Sequence, residues 1–215
     1  MSIKIYNTQL AAEIAGDLLK IEAIKLSPDN PFTWASGWKS PIYCDNRLSL
    51  SYPDVRSIIK TALSLAISKE FQGVDVIAGV ATAGIPQGAL VADELALPFI
   101  YVRSKSKGHG LQNMIEGKIE KGQKVLLIED LVSTGGSSLA AAEALREAGA
   151  EIAGMIAIFT YGFPISEQNF AENNVDLVVL SDYHHLLDYA QDERMFENDT
   201  LKTLKEWRED PANWG

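Results

Sequence analysis

The chain has 215 residues, 47% of them hydrophobic, and its formal net charge at pH 7 is -10. This length and hydrophobic content are sufficient for a buried core, and we expect one domain over residues 1–215. The acidic charge opposes nonspecific attraction to nucleic acid and to anionic membrane surfaces, so neither is an expected partner. Any anionic ligand must therefore meet a locally basic segment.

The N-terminal segment and the cysteine content predict a cytoplasmic protein. Glu13 and Asp17 interrupt the apolar positions near the start, so we expect no signal peptide. No apolar run reaches membrane-spanning length. The single cysteine, Cys44, allows no intramolecular disulfide. Its strand-like surroundings indicate a buried structural thiol rather than a nucleophile.

The predicted elements begin with a helix over residues 8–25, where apolar side chains recur at helical spacing. A hairpin around Ser36–Gly37 follows in the segment FTWASGWKSPIYC. The next predicted helix has Ser51 as its N-cap and Pro53 in its first turn. It extends to about residue 71.

Strands and helices alternate in the remainder of the chain. The predicted strands are VDVIAGV, PFIYV, KVLLIED, EIAGMIAIFTY and DLVVL, and the predicted helices are IPQGALVADEL, GSSLAAAEALREAG and two pieces near the end. The run Val125 to Ile128 is apolar at every position, which is typical of a parallel strand covered on both faces. We predict an α/β fold with a central, mostly parallel sheet flanked by helices, to which residues 1–50 add an N-terminal helix and a hairpin.

The segment LLIEDLVSTGGSSLAAAEAL carries the strongest chemical signal. A buried strand is expected to end in Glu129–Asp130, and a turn rich in Ser, Thr and Gly leads directly into a helix. The free N–H groups of Thr134 to Ser137, the helix dipole and the nearby hydroxyls favour a phosphate. Carboxylates do not coordinate phosphate, so the two acids are expected to meet sugar hydroxyls or Mg²⁺. Ribose 5-phosphate has this arrangement of groups.

Other interpretations of this segment fit less well. No G-x-G-x-x-G follows a strand, and Gly117–Gly122 has P-loop spacing but precedes its strand and is followed by Gln123. Alternatively, Gly135–Gly136 only form a tight turn and the two acids are solvated. Ligands of open α/β sheets bind at the carboxyl ends of strands, which argues against this alternative.

A basic cluster precedes this segment in a stretch, residues 95–115, without any acid: Arg103, Lys105, Lys107 and His109. Gly108 and Gly110 would allow the segment to close over a polyanion and exclude water. A solvated charged loop is the ordinary interpretation of such a run. The predicted phosphate-binding segment Glu129–Ser137, here called the phosphate cradle, lies downstream and favours the functional interpretation.

Together these segments resemble the type I phosphoribosyltransferases. LLIEDLVSTGG is similar to the phosphoribosyl pyrophosphate loop of that family, which implies that Glu129 and Asp130 hold the ribose 2- and 3-hydroxyls. The turn of small residues from Gly79 to Gly84 resembles the pyrophosphate loop, with backbone contacts only. The residues implied to bind phosphoribosyl pyrophosphate in the first loop are Glu129, Asp130, Leu131, Val132, Ser133, Thr134, Gly135, Gly136 and Ser137.

The basic cluster resembles the catalytic loop of the orotate phosphoribosyltransferases within that family. Its pattern R-x-x-x-K-x-H is formed by Arg103, Lys107 and His109. The resemblance implies that these residues bind pyrophosphate and act in catalysis together with Asp130. It also implies a homodimer in which the loop of one subunit reaches into the active site of the other.

The segment Phe32–Arg47, here called the hood, resembles the N-terminal hood of the same enzymes. Members of the family carry a lysine at the position of Ala35 and an arginine near Tyr161, and this sequence has neither. The candidates for binding the orotate carboxylate are therefore Lys39 and Arg47, and Ser133 is a further expected orotate contact.

The resemblance implies a Mg²⁺-dependent reaction of orotate with 5-phosphoribosyl 1-pyrophosphate in the de novo synthesis of UMP. Its products are orotidine 5-phosphate and pyrophosphate, and no residue is assigned as a dedicated metal ligand. Two alternatives remain, a phosphoribosyltransferase for a purine base and a non-catalytic nucleotide-sensing regulator on the same fold. The acidic charge argues against a regulator that binds nucleic acid.

Histidines and tryptophans near the C-terminal end are expected to be structural. His184 and His185 lie beside acids in an expected surface helix without further convergent ligands. Trp207 and Trp214 are expected to serve in packing or subunit contacts.

Overall fold

The computed structural model describes residues 3–34, 37–104 and 114–214. The strands are β1 (Lys4–Ile5), β2 (Ile24–Leu26), β3 (Phe32–Thr33), β4 (Lys39–Ser40), β5 (Ile42–Cys44), β6 (Val76–Val80), β7 (Phe99–Val102), β8 (Ile115–Glu116), β9 (Lys124–Val132), β10 (Glu151–Thr160) and β11 (Leu177–Asp182). The helices are α1 (Thr8–Lys20), α2 (Pro53–Glu70), α3 (Gly84–Leu95), α4 (Gly136–Glu147), α5 (Pro164–Glu172), α6 (Tyr183–Asp192) and α7 (Asn198–Glu209), with a 3-10 helix at Asn46–Ser51.

The central sheet has seven strands in the order β1-β11-β10-β9-β6-β7-β8. All neighbouring strands pair in parallel except β7 and β8, which are antiparallel. The predicted mostly parallel sheet is therefore confirmed. β9 lies in the middle of the sheet, between β6 and β10, so the segment with the predicted phosphate cradle begins in the central strand.

The sheet is buried on both faces, which explains its continuously apolar strands. Leu126 and Ile128 of β9 pack in one core with side chains from α1, α2, α3, α6 and α7. Val125 and Leu127 alternate with them and pack in a second core with α4 and with Phe170 of α5. Because successive side chains of a strand point to opposite faces, both alternating sets must be apolar.

The predicted helix over residues 8–25 is wrong at its C-terminal end. α1 ends at Lys20, and Glu22 adopts a left-handed backbone conformation with φ of 57°. Ile24 and Leu26 then form β2, which pairs antiparallel with β5. These apolar residues fit both a helical and an alternating pattern, and pairing with the distant strand β5 decided between the two.

The N-cap predicted for the following helix is also wrong, by one residue. Ser51 is the last residue of the 3-10 helix, Tyr52 is the N-cap of α2, and Pro53 occupies the first turn as expected. The side chain of Asp45 accepts a hydrogen bond from the Arg47 backbone N–H and starts the 3-10 helix, which continues to Ser51. Five elements were not predicted: the short strands β1, β2 and β8, the 3-10 helix and the helix α5.

The hood forms the predicted hairpin. β3 pairs antiparallel with β4, with Phe32 opposite Ser40 and Thr33 opposite Lys39. Ser36, half of the predicted turn, lies outside the described residues. The structural interpretation of Trp207 is confirmed, because its side chain is fully buried in α7. Among the helices in the described ranges, none is long and apolar enough to cross a membrane.

Substitution of Gly84 by alanine is expected to destabilise the fold. A Cβ atom at this position would lie 2.3 Å from the carbonyl oxygen of Ile128, so α3 would have to move away from β9. Overpacking of this kind costs about 1–3 kcal/mol of the free energy of unfolding. Urea denaturation of Gly84→Ala and the wild type measures this loss.

Gly136→Ala is the matched control, because a Cβ atom there has no neighbour within 4 Å. Alanine is also the better helix former, so the stability should stay constant or increase slightly. Equal losses in the two variants would contradict the close approach of α3 to β9.

Candidate active site

The predicted phosphate cradle is formed at the carboxyl end of β9. The strand continues past Glu129 and Asp130 to Val132, so the expected strand end at the two acids is wrong by two residues. Residues 133–135 turn the chain, and α4 begins at Gly136. All nine residues predicted to bind phosphoribosyl pyrophosphate in this loop thus lie on one strand end, one turn and one helix N-terminus.

The turn of the cradle depends on Gly135. This residue has φ of 85°, and a Cβ atom on it would lie 2.6 Å from the ring of Phe170. Asn169 of α5 donates from its side-chain amide to the carbonyl oxygen of Thr134 at 2.9 Å. Helix α5 therefore holds the turn, a role that no local sequence pattern indicated.

Of the two acids of the cradle, Glu129 is buried and Asp130 is partly buried. Glu129 accepts hydrogen bonds from the Ser138 hydroxyl at 2.9 Å and from the Asp130 backbone N–H at 3.1 Å. Burial, reinforced by the neighbouring charge of Asp130, raises the pKa of Glu129 well above its ordinary value. Burial also raises the pKa of Asp130. Groups that donate to these carboxylates, such as sugar hydroxyls, would stabilise their charged form.

The hood is tied to the cradle by Asn46, which the sequence analysis did not single out. Its side-chain amide donates to the backbone carbonyl oxygen of Asp130 at 2.7 Å. The backbone carbonyl oxygen of Asn46 accepts from the Ser49 hydroxyl at 2.6 Å. The Cys44 thiol donates to Asn46 Oδ1 at 3.3 Å. Burial raises the pKa of Cys44, which supports the structural interpretation of this thiol.

The small-residue turn from Gly79 to Gly84 lies beside the cradle. Gly79 pairs with Ile128 in the sheet, and Gly84 packs against the same residue of β9. The peptide bond between Ala81 and Thr82 is cis. The small residues of this turn allow α3 to approach β9 closely, and the backbone contacts with pyrophosphate stay a prediction.

A cavity of about 290 Å³ separates the hood from the cradle. Three of its lining residues are aromatic, and two others, Leu131 and Ser133, belong to the cradle. The full lining is Thr33, Trp34, Tyr43, Cys44, Leu131, Ser133 and Tyr161. We call it the hood cavity. A larger cavity of about 790 Å³ lies at the opposite edge of the sheet, where β1, β9 and β11 begin, away from the two acids.

The two candidate cations for a carboxylate ligand differ in their surroundings. Lys39 donates from Nζ to the hydroxyl of Thr33, a residue of the hood cavity, at 2.8 Å. Arg47 forms a two-point ion pair with Asp45, with N–O distances of 2.6 and 2.8 Å. The charge of Arg47 is thus already balanced, whereas Lys39 meets a neutral hydroxyl.

Arg103 follows β7 and therefore lies at the same edge of the sheet as the cradle. Its backbone N–H donates to the carbonyl oxygen of Met114, and its guanidinium lies 3.5 Å from Glu116 Oε1. Lys105, Lys107 and His109 lie outside the described residues. The convergence of this basic cluster on the cradle stays a prediction.

The pair His184 and His185 lies in the first turn of α6, directly after β11. Asp182 caps this helix by accepting from the backbone N–H of His185 at 2.9 Å, and it also contacts the His185 ring at 2.7 Å. Helix capping thus accounts for the acid beside the two histidines. Within the described ranges, no group of three or more possible ligand side chains forms a metal site.

Comparison with known proteins gives consistent relatives. A family model described as phosphoribosyl transferase domain matches residues 52–189. An orotate phosphoribosyltransferase of Bacteroides fragilis is 58% identical over 200 residues, which cover 93% of this chain and 94% of that protein. The chain belongs to the orotate phosphoribosyltransferase family. A Listeria monocytogenes member is 55% identical over 203 residues, covering 94% of this chain and 97% of that protein.

A solved member of the orotate phosphoribosyltransferase family has the same fold. The crystal structure of the Aeropyrum pernix orotate phosphoribosyltransferase superposes with a TM-score of 0.74 at 28% identity and covers 83% of this chain and 98% of that one. The predicted type I phosphoribosyltransferase fold is confirmed, and the protein is an enzyme of the pentosyltransferase class. The hood and α7 both lie outside residues 52–189, the part shared with phosphoribosyl transferase domains in general.

Glu129→Gln is expected to stabilise the protein in the absence of ligands at neutral and higher pH. The raised pKa of Glu129 means that folding favours its protonated form, so stability is lost as pH rises from the ordinary glutamate value through the folded pKa. Glutamine carries no charge, and its amide can accept from Asp130 N–H and donate to the Ser138 oxygen. Urea unfolding between pH 5 and 8 measures the difference, which should increase with pH.

The control for this experiment is Glu151→Gln, a change at an exposed carboxylate. It should leave the pH dependence of unfolding close to that of the wild type. A stability advantage of Glu129→Gln that grows on acidification would contradict the raised pKa.

Proposed function

We propose that this protein transfers the ribose 5-phosphate group from 5-phosphoribosyl 1-pyrophosphate to orotate, in the de novo synthesis of UMP. The observation that carries the proposal is that the cradle and the hood cavity are contiguous, because Leu131 and Ser133 belong to both. A sugar phosphate on the cradle and a planar base in the hood cavity would then meet at the sugar C1.

The cradle supplies the groups that the phosphoribosyl donor requires. Backbone N–H groups at the start of α4 suit the 5-phosphate, and the carboxylates of Glu129 and Asp130 suit the ribose hydroxyls. The backbone of the Gly79–Gly84 turn, beside the cradle, suits the pyrophosphate. These assignments follow the roles that the family resemblance implies for the same residues.

The hood cavity suits a flat anionic base. Trp34, Tyr43 and Tyr161 offer aromatic faces, and the Ser133 hydroxyl offers a hydrogen bond. Between the two candidate cations we favour Lys39 for the orotate carboxylate, because Arg47 is already paired with Asp45.

The donor set of the cradle fits Mg²⁺. This ion binds through one or two carboxylates and completes its coordination with water and substrate phosphates, so the carboxylates of Glu129 and Asp130 are sufficient protein partners. Held by these carboxylates, the ion would supply positive charge that offsets the negative charge of the pyrophosphate leaving group.

The reaction breaks the bond between C1 and the pyrophosphate oxygen, forms a bond between C1 and N1 of orotate, and releases the proton of N1. Arg103 and Lys107 would stabilise the negative charge of the departing pyrophosphate. Lys107 or His109 would donate a proton to it. We further propose a cytoplasmic homodimer in which these basic residues serve the cradle of the neighbouring subunit.

The purified protein is expected to consume orotate only when Mg²⁺ and phosphoribosyl pyrophosphate are both present. The change in orotate absorbance reports the reaction directly. Adenine, hypoxanthine and xanthine serve as competing substrates in the same assay. Brisk turnover of one of these purines without loss of orotate would overturn the proposed substrate and leave the family assignment intact.

Lys107→Ala and Asp130→Asn are expected to impair different steps. Lys107→Ala removes a contact that strengthens as pyrophosphate departs, so kcat and kcat/KM should both fall by about a hundredfold. Asp130→Asn replaces a charged acceptor and should raise KM for phosphoribosyl pyrophosphate about tenfold or more. Lys105→Ala is the control, since Lys105 stands outside the R-x-x-x-K-x-H pattern. Near wild-type turnover in Lys107→Ala would remove this residue from the mechanism.

A mixture of these two impaired variants tests the shared site. If each site combines Asp130 of one chain with Lys107 of the other, a mixed dimer collects both defects in one site and leaves the other intact. Random exchange makes half of the dimers mixed, so about a quarter of all sites should regain activity. Mass-tagging one variant confirms the exchange. Activity at the average of the separate variants, despite exchange, would show that the loop serves its own chain.

A further inference from the structure

Trp207 of the C-terminal helix α7 packs against residues that line the hood cavity without lining the cavity itself. This side chain is fully buried, and its ring lies edge-on to Trp34 at 5.6 Å and to Tyr161 at 5.9 Å between centroids. Both of these aromatic residues line the hood cavity. Trp207 therefore supports two of the three aromatic side chains of the cavity wall.

Trp207 also fixes the strand that carries Lys39. Its indole N–H donates to the backbone carbonyl oxygen of Lys39 at 3.2 Å. A single side chain of α7 thus holds both the aromatic wall and the backbone of the favoured cation for the base carboxylate.

Arg208, the next residue of α7, binds the other side of the cavity wall. Its Nε donates to the carbonyl oxygen of Tyr161 at 3.2 Å, and a terminal guanidinium nitrogen donates to the carbonyl oxygen of Gly162 at 2.7 Å. Gly162 adopts φ of 64°, so the chain turns sharply directly after Tyr161. The guanidinium holds this turn through two backbone oxygens and so sets where Tyr161 lies.

These contacts link two segments outside residues 52–189, the part shared with phosphoribosyl transferase domains in general. Phosphoribosyl binding belongs to the shared part, since the cradle and the Gly79–Gly84 turn lie within it. In the contacts described above, α7 meets the wall of the hood cavity and Lys39, and none of these contacts involves the cradle. Changes in α7 can therefore affect the affinity for the base separately from the affinity for the phosphoribosyl donor.

We propose that α7 is a specificity element of this enzyme and that Trp207 and Arg208 are positioning residues for the base. They act through Trp34, Tyr161 and Lys39, without contact to the base itself. The proposal rests on the proposed function only in taking the hood cavity as the base site. Displaced aromatic faces stack less well on a planar ring, so loss of α7 contacts weakens base binding.

Two variants test the proposal in the full-length enzyme. Trp207→Phe keeps an aromatic ring but removes the N–H donor to Lys39, and Arg208→Ala removes both bonds to the Tyr161–Gly162 turn. We expect each to raise KM for orotate roughly tenfold, below the hundredfold that a large misplacement can cost. KM for phosphoribosyl pyrophosphate should stay within about twofold of wild type. Arg208→Lys, which retains a donor, should recover part of the affinity for orotate.

Leu201→Ala is the matched control. Leu201 is buried in the same helix but precedes Trp207 by more than one turn, so its loss should lower thermal stability without changing either KM. If Trp207→Phe and Arg208→Ala lower the melting temperature but leave KM for orotate unchanged, α7 is only packing and the proposal is wrong. Equal increases in both KM values, or the same increase in Leu201→Ala, would also overturn it.

Arg208→Ala keeps the test decisive if Trp207→Phe does not fold, because the Arg208 side chain is about one third exposed. The wild-type substrate panel separates this proposal from the proposed function. If the wild type uses a base other than orotate, KM for that base is the quantity compared among the variants.

Discussion

The site depends on two adjacent carboxyl groups at the end of the central strand, Glu129, which is buried, and Asp130, which is partly buried. Burying a carboxylate costs several kcal/mol unless hydrogen bonds or opposite charges compensate for lost water. The Ser138 hydroxyl and the Asp130 backbone N–H compensate in part at Glu129. The raised pKa of Glu129 shows that the compensation is incomplete without a ligand. The sugar hydroxyls of the proposed ligand would complete this compensation and gain affinity by doing so.

The elements around this pair are arranged to fix the backbone of the loop. Asn46 from the hood holds the Asp130 carbonyl, and Asn169 from α5 holds the Thr134 carbonyl. Gln87 of α3 is buried and donates to Ser49, which in turn binds Asn46. Because carbonyl positions fix the neighbouring N–H groups, these bonds set the direction of the N–H groups that we propose to bind phosphate before a ligand arrives. Such preorganisation reduces the entropy that binding must overcome.

The hood cavity, the proposed base site, is built differently, mainly from aromatic rings. Trp34 and Tyr161 lie 5.0 Å apart between centroids and rest on Trp207, so the wall is rigid without a network of charges. This construction agrees with the sequence, which lacks the lysine at position 35 and the arginine close to position 161 that other members of the family carry. In space an arginine does contact Tyr161, but it is Arg208 of α7, and it binds backbone oxygens. In the proposed function, a single lysine and the rings replace direct recognition by two cations.

The sequence by itself determined the parallel sheet and the cradle, because each strand and the whole cradle are formed by contiguous residues with a characteristic pattern. An uninterrupted apolar strand must be covered on both faces, and a strand, two acids, a glycine turn and a helix in direct succession leave little freedom in their arrangement. Only the tertiary structure decided that Ile24 and Leu26 form a strand rather than a helix, since their partner lies in β5. Asn46, Asn169 and Arg208 were likewise invisible in the sequence. Each donates to a backbone carbonyl oxygen far away in the chain. Because every residue has a backbone carbonyl, such a partner cannot be predicted from the pattern of side chains.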